Sequence, residues 1–135
     1  MNNEKKDTEY EISNYYREIA YKLKTKYKES IGHVNLDKVV FLENLTKSPA
    51  YKFACTKKAS KEERVFNENK TKFYIIFYKK NMDGLTDNQK AMVCYHELLH
   101  IDFDNENIVR HDVEDFNFLL KKYGINYLEE NLDIL

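Results

Sequence analysis

Hydrophobic residues near the start of the chain recur at three- and four-residue spacings, with Lys and Glu between them. That spacing is typical of a helix with one apolar face. The residues that form this stripe are Ile12, Tyr15, Tyr16, Ile19, Leu23 and Tyr27. We therefore predict a helix from about residue 8 to about residue 30, ended by Gly32.

Three later stretches have the pattern of β-strands. Residues 39–42 form a short β-branched and aromatic run. Between residues 51 and 56, Tyr, Phe and Cys alternate with Lys, Ala and Thr, which predicts a strand with one wet face that could lie at the edge of a sheet. Residues 73–78 are apolar on both faces, as in a central strand. The polar stretch 59–70 predicts a loop.

Two more helices are predicted in the second half of the chain. Thr86 with Gln89 three residues later is a capping-box signature for a helix that runs to about Asp102. A last helix is expected from Arg110 or His111 to Gly124, followed by a tail that packs back on the domain. The element order predicts one α+β domain over residues 1–135, with an N-terminal helix, a small three-stranded sheet and two further helices.

Composition narrows the possible functions. Hydrophobic residues make up 42% of the 135 residues and the formal net charge is −1, which indicates a folded chain without a strong field for nucleic acid or lipid. Lysines at 22, 24, 26 and 28 could still form a local basic face, so a nucleic-acid-associated role stays open. The first ten residues lack an apolar core and no run of eighteen apolar residues occurs, so we expect a cytoplasmic location and no membrane contact.

The strongest candidates for metal-binding and catalytic residues lie in the segment His96-Glu97-Leu98-Leu99-His100. A separation of four residues returns His96 and His100 to one face of a helix, where both imidazoles can bind one zinc ion. Glu97 lies next to His96, where its carboxylate can act as general base on a metal-activated water. The alternative is an amphipathic helix whose histidines simply hydrogen-bond to carboxylates.

A catalytic zinc ion requires a third protein ligand. His111 is the favoured candidate, because residues 101–110 are long enough to reverse direction and return the next helix to the metal. Carboxylates are the alternatives, with Asp104 the nearest competitor. The full set of acidic candidates is Asp102, Asp104, Glu106, Glu114 and Asp115. Metzincin spacing is excluded, since that pattern needs Gly and His where this chain has Phe103 and Glu106.

The segment 85–101, followed by His111, Asp112 and Phe116, resembles the putative phage metallopeptidase family and, more distantly, the SprT-like zincins. The resemblance implies a minimal zincin-like peptidase of phage, prophage or bacterial origin. It supplies no substrate. The chain lacks the cysteine set of the zinc ribbon that many SprT-like proteins carry, which weakens any link to DNA.

The resulting expectation is a zinc metallopeptidase that cleaves peptide bonds in peptide or protein substrates. His96, His100 and His111 would hold Zn²⁺, Glu97 would be the general base, and the edge strand would pair with the substrate. A non-catalytic, zinc-stabilised binding module is the alternative, since it would keep the ligands and have no use for Glu97. Cys94 should face away from the metal, and His33 should be a surface or capping residue.

Overall fold

The computed structural model describes residues 8–67 and 70–109. The elements along these residues are β1 (Tyr10–Ile12), α1 (Asn14–Lys26), α2 (Lys28–Ile31), a 3-10 turn (Leu36–Lys38), β2 (Val39–Asn44), β3 (Ala54–Lys58), α3 (Lys61–Phe66), β4 (Phe73–Tyr78), α4 (Lys79–Met82) and α5 (Asp87–Leu98). The fold is therefore α+β, as predicted.

The described strands form one mixed sheet in the order β1-β2-β4-β3. β2 and β4 are parallel, with Val39 opposite Phe73, while β1 and β3 run antiparallel to their neighbours. The predicted central strand and edge strand are confirmed, because β4 lies between β2 and β3, and β3 pairs on one side only within the described residues. Within the part of the chain that the structure describes, the outer side of β3 therefore has a row of backbone groups without a strand partner.

Helices α1 and α5 pack together and cover one face of the sheet. The rings of Tyr16 and Phe77 stack with centroids 3.8 Å apart, which joins α1 to β4. Alternate residues of β4 on this face, Phe73, Ile75 and Phe77, are fully buried. Burying side chains of this size stabilises the fold by about 1.5–3 kcal/mol each. The core thus holds α5 firmly against the sheet.

The prediction of three strands is wrong, because residues expected to begin the first helix form a fourth strand. Ser13 caps α1, and its side chain accepts a hydrogen bond from Tyr16 N. A capping residue has extended backbone, so the chain before it leaves the helix axis. Residues of β1 then pair with β2, with Ile12 opposite Leu42. Ile12 is 72% exposed and does not belong to the buried stripe.

The predicted loop at 59–70 contains a helix, α3. Ser60 and Glu63 form a reciprocal capping box at its start. None of the α3 residues is buried, so no apolar periodicity marks the helix and only its cap could have predicted it. The strand expected at 51–56 is shifted to Ala54–Lys58, because Tyr51 lies in a turn with φ 57°.

Helix α5 begins at the predicted cap but ends at Leu98, earlier than the expected Asp102. Beyond it, His100 N donates to Glu97 O and Ile101 N donates to Leu98 O, the tighter i to i+3 pattern common at helix ends. The predicted last helix and tail lie outside the described residues. No helix in the described ranges is long and apolar enough to cross a membrane.

Candidate metal centre

Helix α5 carries the site, and its first turn is defined locally. Thr86 Oγ1 accepts from Gln89 N, and Gln89 Oε1 accepts from Thr86 N. This reciprocal cap sets the start of the helix and so the direction in which each later side chain points. Ala91, Cys94 and Leu98 turn into the core and are fully buried. The histidines therefore occupy a different side of α5.

His96, Glu97 and His100 lie together at the end of α5. One ligand atom from each lies within 4.8 Å of the others. The two imidazole rings have centroids 5.1 Å apart and are nearly perpendicular. His96 is half-buried, while Glu97 and His100 are 6% and 5% exposed. A single divalent ion can bind two imidazoles and a carboxylate at this separation.

The orientation of His100 is set by the chain that follows the helix. Its Nδ1 lies 2.8 Å from Val109 O, and Val109 N donates to His100 O at 2.6 Å. A carbonyl oxygen can only accept, so Nδ1 carries the proton in this contact. In a neutral imidazole, Nε2 then keeps its lone pair, which is the form that binds a metal.

Glu97 is held from the sheet. Thr56 Oγ1, on β3, lies 2.8 Å from Glu97 Oε1 and 3.2 Å from Glu97 O. Burial raises the pKa of the Glu97 carboxyl to about 7, while the Thr56 hydrogen bond and the positive charge of Lys52 lower it. A carboxyl with a pKa near neutrality can both accept and release a proton under ordinary conditions.

The loop after α5 reverses direction, as predicted. Ile101 and Ile108 form an antiparallel bridge, and Asp102 Oδ1 accepts from Glu106 N and Asn107 N. The hydrogen bond from Glu106 N is the largest effect that lowers the pKa of Asp102. Two of the alternative acidic ligands are thus engaged within the loop or beside it, since Glu106 also pairs with Arg64 and Lys72.

The other candidates for the third metal ligand lie partly inside and partly outside the described residues. Asp104 is exposed and is not part of the group formed by the two histidines and Glu97 in the described residues. His111, Glu114 and Asp115, together with the expected partner Asp112, lie outside the described residues. The structure therefore brings together two of the three predicted histidines and the predicted general base, and leaves the third ligand as a prediction.

Two residues near the site have contacts that the sequence pattern did not indicate. His33 Nε2 lies 2.8 Å from Ile101 O, and its ring stacks on Phe103. His33 thus contacts the loop that follows His100 and is more than a surface or capping residue. Cys94 is fully buried against Tyr16 O, in agreement with the expectation that it faces away from the metal.

Thr56 is the residue at the site that sequence reasoning missed. The alternation along residues 51–56 predicts one wet face but does not single out Thr56. In the structure Ala54 and Thr56 face α5, while Cys55 contacts Tyr78 on the other face. The small side chain of Ala54 was the signal in the sequence, since a small residue in a strand fits closely against a helix. Lys52 and Thr56 thus lie on a segment that adjoins the site.

Comparison with protein-family models decides the family. The model described as putative phage metallopeptidase matches residues 8–133. The chain belongs to the putative phage metallopeptidase family. Comparisons with curated proteins and with solved structures gave no significant match. Membership in the putative phage metallopeptidase family implies a metal ion and protein substrates, and His96, Glu97 and His100 form a group that could hold such an ion.

Proposed function

We propose that the protein is a zinc-dependent endopeptidase in a minimal zincin-like domain. His96 and His100 bind the ion, and Glu97 is the general base. The observation that carries the proposal is the buried carboxylate of Glu97 beside two imidazoles, with one oxygen within 4.8 Å of a nitrogen of each. A structural role alone would not require a carboxyl at a position where burial raises its pKa to about 7.

We propose His111 as the third ligand. Val109 is hydrogen-bonded to His100 through both its N and its O. His111 follows two residues later, and two residues of extended chain span at most about 7 Å. A chain of that length is long enough for His111 to reach the imidazole pair. Histidine is also the commonest protein ligand of zinc.

Each residue of the proposed site has a separate role in the reaction. When bound, zinc supplies a Lewis acid that acidifies water and polarises a peptide carbonyl. Glu97 takes the proton of the attacking water and delivers it to the nitrogen of the leaving amine. Thr56 holds Oε1, which leaves Oε2 to receive that proton. Val109 O keeps His100 in the tautomer that presents Nε2.

The edge strand provides a place for the substrate. β3 pairs on one side only among the described strands, and its Thr56 touches Glu97. An extended peptide that adds to the open side of β3 would bring its backbone alongside the general base. Main-chain hydrogen bonds of this kind give affinity for any extended sequence, so they favour a peptide bond within a chain over one at a terminus.

Metal analysis and one substitution test the proposal. Protein purified without added metal is expected to contain about one zinc per chain, since the three ligands would hold one ion. Mass spectrometry of a peptide library should show cleavage by the parent and none by Glu97→Gln, although the variant keeps its zinc. If parent and variant cleave equally, Glu97 is not the general base. If zinc is present and neither cleaves, the protein is a metal-stabilised binding module.

A further inference from the structure

The edge strand lies in a stretch of the chain that contains lysines but no acidic residues. Residues 44–61 contain five lysines and no Asp or Glu, although the whole chain has a formal net charge of −1. These lysines, which we call the lysine margin, are Lys47, Lys52, Lys57, Lys58 and Lys61. β3 lies inside this stretch. The margin therefore gives the chain in and around β3 a local positive charge.

Within residues 8–67 and 70–109, no acidic side chain forms an ion pair with the lysine margin. All five side chains are exposed. Lys58 Nζ does donate to Asn107 Oδ1 at 2.8 Å, but that amide is uncharged. Two neighbouring cations do have an acidic partner, since Arg64 and Lys72 both pair with Glu106.

The lysine margin is close to the candidate catalytic residues. Lys57 and Lys58 follow Thr56 directly along β3, and Thr56 Oγ1 lies 2.8 Å from Glu97 Oε1. Lys52 lies two residues before the start of β3, and its positive charge lowers the pKa of the Glu97 carboxyl. A peptide paired with β3 would therefore pass lysines on both sides of the bond next to Glu97.

We propose that the lysine margin selects extended peptide segments with Asp or Glu on either side of the cleaved bond. This inference rests on the proposed peptidase function and adds a substrate class to it. Backbone pairing with β3 holds the peptide without regard to sequence, and the lysines add the preference. An exposed ion pair contributes little by itself, so a peptide with two acidic residues should bind about tenfold more tightly than its neutral counterpart at low salt.

The same lysines have a purely structural interpretation. Charged side chains on an edge strand discourage pairing with the edge of another sheet. That role requires charge but predicts no preference among bound peptides. A second anionic partner, nucleic acid, would need the lysines but not the strand edge. These two interpretations give different results in the binding experiment below.

Binding is measured on the Glu97→Gln protein loaded with zinc, which removes cleavage from the measurement. Two fluorescein-labelled peptides differ only in having Glu or Gln at the two positions flanking the centre. Fluorescence anisotropy is expected to give about tenfold tighter binding of the Glu peptide at low salt, with the difference largely lost in about 0.5 M salt. Adding Lys57→Gln and Lys58→Gln should remove most of the preference and leave binding of the neutral peptide unchanged.

A matched control separates local from general charge effects. Lys22→Gln with Lys26→Gln removes two exposed lysines from α1, and the preference should survive. Equal binding of the two peptides overturns the inference, as does a preference that persists without Lys57 and Lys58. Stronger competition by a single-stranded oligonucleotide than by the Glu peptide also overturns it. Cleavage by the parent is measured separately, so a failed peptidase function and a failed preference give different results.

Discussion

The hydroxyl of Thr56 holds the carboxylate of Glu97, with Oγ1 2.8 Å from Oε1, across 41 residues of sequence. The same oxygen lies 3.2 Å from the Glu97 backbone carbonyl. Two contacts from one hydroxyl limit both the rotation of the carboxylate and the position of the end of α5. The edge strand thus positions the candidate general base.

Replacing Thr56 should lower the rate without releasing the metal. Thr56→Val keeps the shape of the side chain but removes the hydrogen bond to a charged group, which is worth about 1.5–3 kcal/mol. We expect kcat to fall about 10- to 100-fold, with KM and zinc content little changed. Thr56→Ser restores a hydroxyl and should recover most of the rate. Equal kcat values for parent and Val variant would show that Thr56 does not position Glu97.

The metal-free protein should become less stable as pH rises from about 4.5 to about 7. The folded pKa of Glu97 is about 7, above its ordinary value of 4.5. The unfolded chain therefore loses this proton first, and the stabilisation present below pH 4.5 is lost as pH rises to about 7. The shift corresponds to about 3 kcal/mol. Urea unfolding of chelator-treated protein at pH 5 and pH 8 measures this loss.

Glu97→Gln is the control for that titration. It keeps both histidines but cannot ionise at position 97, so its stability should fall less between the two pH values. The metal must be removed first, because a bound dication lowers the pKa of a neighbouring carboxyl. If parent and variant lose equal stability, the carboxyl of Glu97 titrates normally in the folded protein.

The two described histidines should be required for zinc retention. His96→Ala or His100→Ala removes one ligand and is expected to lower zinc from about one ion per chain to near zero after dialysis. Zinc added to the parent should raise its Tm, since a ligand that binds the folded state stabilises it. His33→Ala is the matched control, because His33 contacts Ile101 O rather than the group of ligand atoms. It should keep its zinc.

The third ligand can be assigned by comparing two substitutions. His111→Ala should weaken zinc affinity by at least tenfold if His111 coordinates the ion, while Asp104→Ala should have little effect on an exposed loop position. Competition with a chromophoric chelator gives both affinities. A loss of affinity in the Asp104 variant together with normal binding in the His111 variant would reverse the assignment.

Some of the site could be predicted because it depends on contacts close in sequence. The capping box of Thr86 and Gln89 sets where α5 begins, and helical geometry then brings His96 and His100 together. Even the early end of α5 at Leu98 preserves this relation, since the next turn continues through hydrogen bonds between near neighbours. The apolar run of β4 likewise predicted a buried central strand.

Other features depend on contacts between distant segments, and the sequence alone could not reveal them. The period of two along residues 51–56 is equally consistent with either face turned inward, and the packing of α5 decided that Thr56 meets Glu97. β1 exists because Ser13 starts α1 late and leaves Tyr10–Ile12 to pair with β2.

The helix start, the histidine spacing and the apolar central strand follow from the order of residues alone, because each depends on interactions within about one helical turn or one strand. The burial of Glu97, its hydrogen bond from Thr56 and the effect of the Lys52 charge on it depend on how distant segments pack together. Those relations arise from packing α5 against β3, where the free energy comes from burying surfaces far apart along the chain.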